Sequence, residues 1–532
     1  MDFNKILFFA MQVKLLFKSG GVFILFYFIF FGWQMFVPYL MSTDDPYYHA
    51  KHSALIAASG DVTFVGQWAP THFLTTAPTD PWWLYHVITA GFIKVFGLLV
   101  GVKIWAAFAA AFVFASAYFI FNRLNITYAF VWMFFLFVAS SIFTARLTLE
   151  RPFVISIPFF FLGYYFLYQR RYFWLFIATA LYVLTYNLAP IILLLVAVFL
   201  AVDFYFSRTL NLKPSIAVLG GIAAGIILHP HPLNYIYVMS VHLVKVFYYL
   251  LSGVNLNTGS EIQLHSLADF LEGNFLIALF YILALAVFFK LWSDKKVNRL
   301  SLSLFLASIS WFPVALLIPR GTEYWLPLAV LFIAYNFQAL RQSADWPIFQ
   351  TQLRQKITPS LLSFFILSAV AMFAAYNIFT VFMFVYERRQ DTSDYYFQGA
   401  NDWLMHNTPR DSVVFYPIWS MFPQMFFYNN HNRYLTAFGP EFLYEYNPAV
   451  YYTWANIAYR GVYCPHELPC LEFSPRREIR GVKFALKNIL NAPTAILPNQ
   501  PDSWVYKVFS TLTGDFIKVY ENKELVIFKV KE

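Results

Sequence analysis

The sequence predicts a polytopic α-helical membrane protein with about 11 transmembrane helices and a C-terminal soluble mixed α/β domain. Its 532 residues are 60% hydrophobic and only 12% charged, whereas charged residues make up roughly 25% of a typical soluble domain. Apolar runs near the ~20 residues that cross a bilayer fill the first three quarters, and the charge rises only after them. We therefore divide the chain into a transmembrane domain, 1–386, and a soluble domain, 387–532.

The formal net charge of +9 does not indicate a nucleic-acid partner, because the basic residues lie in short loops between apolar runs. That distribution is typical of the positive-inside rule for membrane proteins. The expected partner is therefore membrane lipid, and no nucleic acid is expected.

The apolar runs predict eleven spans with the N-terminus inside and the tail outside. A further apolar segment, 82–101, contains His86 and Lys94. If this segment does not cross, the basic clusters of the later loops all face the cytoplasm; if it crosses, nearly all of them face outward. The loop bias therefore places 82–101 outside, in or near the interface. The predicted spans are 19–41, 103–121, 127–144, 153–168, 172–187, 189–206, 215–229, 274–290, 301–318, 324–340 and 359–385.

Two outer loops are long, about 42–102 and about 230–273, whereas the inner loops are short. The first contains a short amphipathic helix at 46–59, and the second contains an amphipathic or partly embedded segment at 235–251. Long loops commonly carry function. The working surface is therefore expected outside.

The tail has strand and turn signals of a small mixed domain. Val413–Tyr416 is predicted to be a strand, and Phe516–Lys531 alternates around Asn522-Lys523 as a β-hairpin does. The two cysteines, Cys464 and Cys470, suit a disulfide in an oxidising compartment. A metal clip that uses the intervening His466 and Glu467 is the alternative.

Asp44 and Asp45 follow the first span directly, where carboxylates often mark function. Asp45 before Pro46 also suits a helix N-cap followed by proline at the first helical position. A cap needs one carboxylate oxygen, and two adjacent acids exceed that need. We therefore interpret the pair as a catalytic base and keep capping as the alternative.

The run Asp45-Pro46-Tyr47-Tyr48-His49-Ala50-Lys51 resembles the first-loop motif of oligosaccharyltransferase catalytic subunits and related GT-C glycosyltransferases. In this resemblance Asp45 matches the family's loop-one aspartate, and Lys51 falls where the family usually has arginine. The resemblance implies a GT-C-like membrane domain that takes a sugar from a polyprenyl-phosphate or polyprenyl-diphosphate carrier on the outer face.

The second outer loop contains Arg146, Glu150, Arg151 and Pro152. In the oligosaccharyltransferase branch this loop carries an acidic motif that helps to bind a divalent metal. Here only Glu150 remains, which is similar to other GT-C branches with an Arg-Pro element. The arginines could capture phosphate, since guanidinium matches phosphate oxygens bidentately, or anchor at the interface with Glu150 as their counter-ion. A divalent metal, Mg²⁺ or Mn²⁺, stays open.

Later loops add three candidates. Glu261 follows Gly259 in the long outer loop and could line an acceptor site, assist a metal or be simply solvated. Arg320 and Glu323 open the tenth span and could pair with each other. The resemblance implies instead that Arg320 binds the carrier's phosphate. The four histidines of the long loop and its preceding span end form a weak ligand pattern for zinc: His229, His231, His242 and His265.

The segment Asn401–Tyr428 resembles the oligosaccharyltransferase region that precedes a Trp-Trp-Asp-Tyr-Gly motif, but this chain has Pro417-Ile418-Trp419-Ser420-Met421 there. The acceptor is therefore expected to be something other than an asparagine in a peptide. The expected activity is inverting sugar transfer to an unknown glycan, lipid or protein, in a bacterial inner membrane with the tail in the periplasm. The alternatives are a flippase or transporter of a lipid-linked solute, a non-catalytic scaffold, and an oligosaccharyltransferase with altered acceptor reading.

Overall fold

A computed structural model describes residues 3–254, 256, 259, 264, 266–342, 359–465, 470 and 481–532. The chain forms two compact units. We call the first, Met1–Val37 with Lys103–His229 and Ser260–Glu387, the membrane unit. We call the second, Pro38–Val102 with Pro230–Gly259 and Arg388–Glu532, the loop–tail unit, because it joins residues of both predicted outer loops to the tail.

The membrane unit is helical throughout its described residues, and every predicted span coincides with one or two helices. By length and composition, six described helices could cross a bilayer, and five shorter helices in the described chain are also apolar. The helices of this unit are Phe3–Phe36, Leu98–Arg123, Ala129–Val138, Ser141–Arg146, Phe153–Tyr168, Tyr172–Thr185, Ile192–Ser207, Lys213–Leu228, Leu267–Ser293, Arg299–Leu317, Gly321–Gln342 and Pro359–Gln390.

Polar caps explain where the helices differ from the predicted spans. The predicted span 127–144 is two helices, because Ser140 Oγ accepts a hydrogen bond from the N–H of Phe143 (3.1 Å) and starts the second helix. The carbonyl of Val138, at the end of the first, accepts from Asn377 Nδ2 at 2.9 Å. The predicted span 274–290 begins earlier, at Leu267, since Ser266 and Asp269 form a capping box.

Small residues allow two helices of the membrane unit to approach closely. The helix Lys213–Leu228 packs against Tyr172–Thr185 with Gly221 and Gly225 at the contact. A Cβ at Gly221 would lie 2.7 Å from the carbonyl oxygen of Phe176, and one at Gly225 would lie 2.6 Å from Cβ of Val183. This spacing of two glycines four residues apart is a common helix-packing motif in membranes.

In the loop–tail unit, a five-stranded mixed sheet has the order β2-β1-β3-β5-β4. Strand β1 pairs in parallel with β2 and β3, whereas β5 pairs antiparallel with β3 and β4. The predicted strand at 413–416 and the predicted terminal hairpin are confirmed as β1 and β4–β5. The strands are β1 Val413–Phe415, β2 Arg433–Tyr434, β3 Thr494–Pro498, β4 Phe516–Glu521 and β5 Leu525–Val530.

Alternating side chains build a core on each face of the sheet. Val413 and Phe415 face helices of the tail, while Val414 and Tyr416 face the other way. Tyr48 of the first outer loop packs in this second core. The tail helices are Ser393–Asn407, Phe422–Tyr428, Pro440–Tyr446, Pro448–Arg460, Gly481–Phe484 with the π-helical turn Ala485–Ile489, and Trp504–Thr511.

The outer loops of the loop–tail unit contain helices of their own. The predicted helix at 46–59 is confirmed as Asp45–Ser59, which we call the loop-one helix, and the segment 82–101 contains Trp83–Phe96. The segment predicted at 235–251 is Pro232–Ser240, a π-helical turn Val241–Lys245 and Val246–Leu251. Glu445 of the tail accepts hydrogen bonds from the hydroxyls of Tyr237 and Tyr249 and pairs with Lys245.

A buried ion pair holds the start of loop one to the tail. Arg388 Nη2 lies 2.6 Å from Asp394 Oδ2, and both side chains are almost inaccessible to solvent. Arg388 also donates to the carbonyl of Leu40 (2.7 Å) and to the hydroxyl of Tyr47 (2.8 Å). Asp394 accepts from the hydroxyls of Tyr47 and Tyr428. Asp394 lies in the first turn of its helix, where the helix dipole favours negative charge.

We expect Asp394→Leu to lower the free energy of unfolding of the loop–tail unit by about 3 kcal/mol, because the buried Arg388 then keeps only the partly exposed Asp391, at 2.7 Å, as its counter-ion. Urea unfolding of the purified protein in detergent, followed by tryptophan fluorescence, measures this loss.

The exposed pair Arg433–Asp411 is the control, and Asp411→Leu should cost less than about 1 kcal/mol. The double variant Arg388→Met/Asp394→Leu should recover much of the lost stability, since it removes the stranded charge. Equal losses for Asp394→Leu and Asp411→Leu would contradict the role of the buried pair.

Candidate active site

The two aspartates of the first outer loop lie at the N-terminus of the loop-one helix. Asp44 is the N-cap residue and Asp45 is the first helical residue, with Pro46 behind it. The expected capping role of Asp45 is therefore wrong by one position. The side chain of Asp44 makes no cap hydrogen bond and instead accepts from Ser42 Oγ at 2.6 Å. Both aspartates are half-buried.

The two tyrosines after Pro46 fix the helix that carries Asp45. Tyr47 is fully buried and joins the ion pair of Arg388 and Asp394. Tyr48 packs edge-to-face on Phe438 with ring centroids 4.3 Å apart. Consecutive helical residues point about 100° apart, so the two rings hold different sides of the first turn. The position of Asp45 therefore depends on both.

Negative charge lies close to the hydroxyl of Tyr48. Burial raises the pKa of Tyr48 well above its usual value, and the charges of Asp80 and Asp45 raise it further. Tyr48 therefore stays protonated at any physiological pH. It can donate a hydrogen bond but cannot serve as a base.

The other polar residues of the motif have different environments. His49 is buried, and its Nδ1 lies 2.8 Å from Nε2 of His86. Lys51 is half-buried, and burial lowers its pKa. The two are therefore unlike in role: His49 belongs to a buried polar cluster behind the helix, whereas Lys51 remains a cation near its surface.

In the membrane unit, Arg146 ends the short helix Ser141–Arg146 and binds Glu323. Arg146 Nε donates to Glu323 Oε1 at 2.6 Å, and Nη2 contacts the same oxygen. The ring of Phe153 lies 4.7 Å from the guanidinium carbon of Arg146 and 5.6 Å from that of Arg151. The ring of Phe153 thus makes cation–π contacts with both arginines. Arg146 is also paired with the carboxylate of Glu323.

The acidic residues of this region are buried together with cations. Glu150 and Glu323 are almost completely inaccessible, and so are Arg146 and Arg151. Buried carboxylates beside guanidinium groups form a charge-balanced set. This set fits an internal anchor better than a Mg²⁺ or Mn²⁺ site at Glu150.

The remaining candidates are distributed over both units. Arg320 is half-buried at the turn before the helix Gly321–Gln342 in the membrane unit. Cys464 and Cys470 form a disulfide in the loop–tail unit, with Cα atoms 5.7 Å apart. Glu261, His265, His466 and Glu467 lie outside the described residues.

Three residues that the sequence analysis did not select for metal binding lie together: His52, Asp80 and His86. Two helices bring the histidines together, and Asp80 comes from the turn before Trp83–Phe96. The spacing of His49 and His52, three apart on one helix, and of Asp80 and His86 was visible in the sequence. Pairing the two segments required the fold.

His72 is a buried histidine of the same loop, outside that cluster. Its Nδ1 accepts from the N–H of Leu74 at 3.0 Å, and its ring packs against Phe73, Phe438 and Phe442. Burial lowers the pKa of His72 to about 3, and the charge of His242 contributes to the lowering. His72 is therefore neutral in the folded protein at neutral and mildly acidic pH.

Comparison with known proteins finds solved structures of similar fold, at low sequence identity. No protein-family model matches the chain, and no curated protein matches it. The structure of ArnT from Cupriavidus metallidurans bound to undecaprenyl phosphate aligns with a TM-score of 0.54 at 12% identity, over 98% of this chain and 98% of that one. An oligosaccharyltransferase from Archaeoglobus fulgidus, tethered to an acceptor peptide with an NVT sequon, aligns with a TM-score of 0.57 at 11% identity, over 97% of this chain and 74% of that one.

Both neighbours have the GT-C fold. The chain therefore has a GT-C fold, and the fold class predicted from the sequence is confirmed: a polytopic helical membrane protein with a small C-terminal sheet domain.

We expect acid to destabilise the protein partly through His72. Between pH 7 and pH 5 the unfolded chain protonates this residue (ordinary pKa about 6.5), whereas the folded protein, with a pKa of about 3, does not. Unfolding therefore takes up a proton, and stability falls as the pH drops below about 6.5. At pH 5 the loss from this residue is about 2 kcal/mol.

His72→Asn keeps an acceptor for the N–H of Leu74 and removes the titration, so its stability should change less between pH 7 and pH 5 than that of the wild type. The exposed His406 provides the control, and His406→Asn should keep the wild-type pH dependence. Thermal unfolding at the two pH values measures the difference. The same pH dependence in all three proteins would refute the assignment.

Proposed function

We propose that this chain is an inverting glycosyltransferase that moves a sugar or glycan from a polyprenyl-phosphate or polyprenyl-diphosphate carrier to a hydroxyl acceptor. The observation that carries the proposal is the loop-one helix. It begins with two half-buried aspartates and is held by two buried tyrosines, in the motif Asp45-Pro46-Tyr47-Tyr48. The GT-C fold of the chain and the undecaprenyl phosphate bound to ArnT support a polyprenyl-linked donor.

Asp45 is the general base. Its carboxylate takes the proton from the acceptor hydroxyl as the acceptor oxygen attacks the anomeric carbon of the sugar. The bond from that carbon to the carrier's phosphate oxygen breaks on the opposite face, and the phosphate leaves with the electron pair. One displacement inverts the anomeric centre, so no protein nucleophile is required.

Arginines stabilise the phosphate that leaves. Arg320 is the first candidate, because it lies half-buried at a helix start of the membrane unit. Arg151 comes next. Arg146 is bound by Glu323 and lies against the ring of Phe153. Its role is to neutralise Glu323 rather than to bind the phosphate directly. Preorganised cations aimed at developing negative charge are commonly the largest contribution to such catalysis.

The compartment follows from the same chemistry. The loop–tail unit carries the disulfide Cys464–Cys470, and disulfides persist in oxidising compartments. The membrane location, the disulfide and the bias of basic loops support a bacterial inner membrane with the tail in the periplasm. The acceptor is a glycan, lipid or protein hydroxyl on that side. The oligosaccharyltransferase peptide-reading motif has no counterpart at 417–421, which disfavours an asparagine acceptor.

We expect Asp45→Asn to abolish transfer while preserving the fold. The amide keeps the size of the side chain and removes the base, and loss of a general base typically costs about 10²–10⁴-fold in rate. The assay follows radiolabelled sugar from a polyprenyl carrier to acceptor in detergent, where transport is not scored.

Asp44→Asn is the matched neighbour control. Its carboxylate accepts from Ser42, and an asparagine oxygen can accept the same bond, so this variant should retain most of the activity. An active Asp45→Asn enzyme would reject Asp45 as the base, and loss of activity in Asp44→Asn alone would transfer the role to Asp44.

We expect Arg320→Gln to lower kcat by roughly 10²–10³-fold, the range measured when one preorganised donor to developing charge is removed. Arg433→Gln, at an exposed arginine of the tail, should leave kcat unchanged. Steady-state kinetics with a varied carrier concentration separates kcat from KM. A change in KM alone would show that Arg320 binds the carrier without stabilising the transition state.

A further inference from the structure

His52, Asp80 and His86 form a buried cluster of metal-ligand type in the loop–tail unit. Each offers one ligand atom, and these atoms all lie within 4.8 Å of one another. Asp80 Oδ2 lies 2.6 Å from His86 Nδ1 and 3.3 Å from His52 Nε2. All three side chains are at most 2% exposed, so solvent does not satisfy them.

The cluster leaves polar atoms that the protein itself does not satisfy. Neither nitrogen of His52 makes a hydrogen bond of good geometry to a described residue, although Nε2 faces the carboxylate of Asp80. A buried imidazole whose nitrogens lack well-formed hydrogen bonds is costly. Nε2 of His52 lies near the same carboxylate oxygen as Nδ1 of His86, and a cation bound by all three groups would satisfy them.

We propose that His52, Asp80 and His86 bind a divalent transition-metal ion, with Zn²⁺ the best match. Imidazole nitrogens favour such metals, whereas Mg²⁺ and Ca²⁺ prefer oxygen ligands. Tetrahedral zinc with bonds of about 2.0–2.1 Å keeps its ligand atoms roughly 3.3 Å apart. The 3.3 Å contact of His52 already has this spacing, and the 2.6 Å contact of His86 opens by less than one ångström.

Neighbouring groups orient Asp80 and His86 as the hydrogen-bond partners of metal ligands commonly do. The N–H of Trp82 donates to Asp80 Oδ1 at 3.0 Å, which leaves Oδ2 towards the two histidines. His49 Nδ1 lies 2.8 Å from His86 Nε2. When His86 Nδ1 binds a metal, His86 Nε2 carries the proton and donates a hydrogen bond to His49 Nδ1. The two cysteines of the chain are joined in a disulfide and offer no thiolate ligand. Histidine therefore supplies the ligands that a transition metal prefers over oxygen.

The metal would join two helices that carry the first outer loop. His52 belongs to the loop-one helix, whose first residue is Asp45, and His86 belongs to Trp83–Phe96. The ion would therefore hold the loop-one helix against Trp83–Phe96. Its binding does not depend on glycosyl transfer, and metal content and spectra measure it without an activity assay.

The experiment measures metal binding by the full-length protein in detergent. The protein is stripped with EDTA, incubated with ZnCl₂, passed through a desalting column and analysed for bound zinc by mass spectrometry. We expect one zinc ion per wild-type chain. Replacement by Co²⁺ should give the visible d–d absorption of a low-coordinate cobalt ion with nitrogen and oxygen ligands.

Two substitutions keep a polar side chain of similar size but remove the imidazole ligand atoms. In His52→Gln the amide reaches the position of Nε2, and in His86→Asn it reaches that of Nδ1. Each should weaken zinc binding at least roughly 10–100-fold. His406→Gln, at an exposed histidine of the tail, should bind zinc as the wild type does.

The proposal fails if the stripped wild type retains no zinc and gives no cobalt d–d bands. It also fails if the double variant His52→Gln/His86→Asn binds as much zinc as the wild type, since the metal would then lie elsewhere. The wild-type measurement decides the question even if a variant does not fold. If the wild type binds zinc at this site but transfers no sugar, the result contradicts the proposed function and leaves the metal-site proposal standing.

Discussion

The ion pair between Arg388 and Asp394 is the constraint on which the first outer loop depends. A buried ion pair costs several kcal/mol of desolvation per charge, and only good geometry with additional hydrogen bonds offsets that cost. Here the hydroxyls of Tyr47 and Tyr428 and the carbonyl of Leu40 supply those bonds. The pair therefore contributes specificity more than stability. It is satisfied in one arrangement of the chain, in which Tyr47 contacts Asp394 at the start of the helix Ser393–Asn407.

From this contact the arrangement of the motif follows residue by residue. The hydroxyl of Tyr47 is hydrogen-bonded to Arg388 and Asp394. Tyr48 packs in an aromatic core with Phe422, Phe426 and Phe438. The next turn places His49 and His52 against Trp83–Phe96. Asp45, at the first position of the helix, is half-buried. One short helix thus has a buried side that sets its position and a less buried N-terminus.

The sequence predicted most of the elements, because hydrophobic length and alternation are local properties. Helices at the positions of the predicted spans, the loop-one helix, the strand at 413–416 and the terminal hairpin all appear in the fold. It did not predict that Glu323 pairs with Arg146, 177 residues away, since the nearer Arg320 offered a plausible local partner. Nor did it predict the cluster of His52, Asp80 and His86, whose members satisfy no short ligand spacing and meet only when two helices pack. Ser140 interrupted a predicted span because one cap hydrogen bond outweighed an apolar pattern.

The contact of Tyr47 with Asp394 joins residues 347 positions apart in the chain. At the usual ~5–20 residues per second of synthesis, a ribosome needs roughly 20–70 s to travel from one to the other. During that interval the first outer loop has left the membrane without the sheet against which Tyr48 packs. Its aromatic residues lack their packing partners until the C-terminal residues of the chain have been synthesised. Asp45, which opens the loop-one helix, is therefore among the first residues made and among the last to reach its final place.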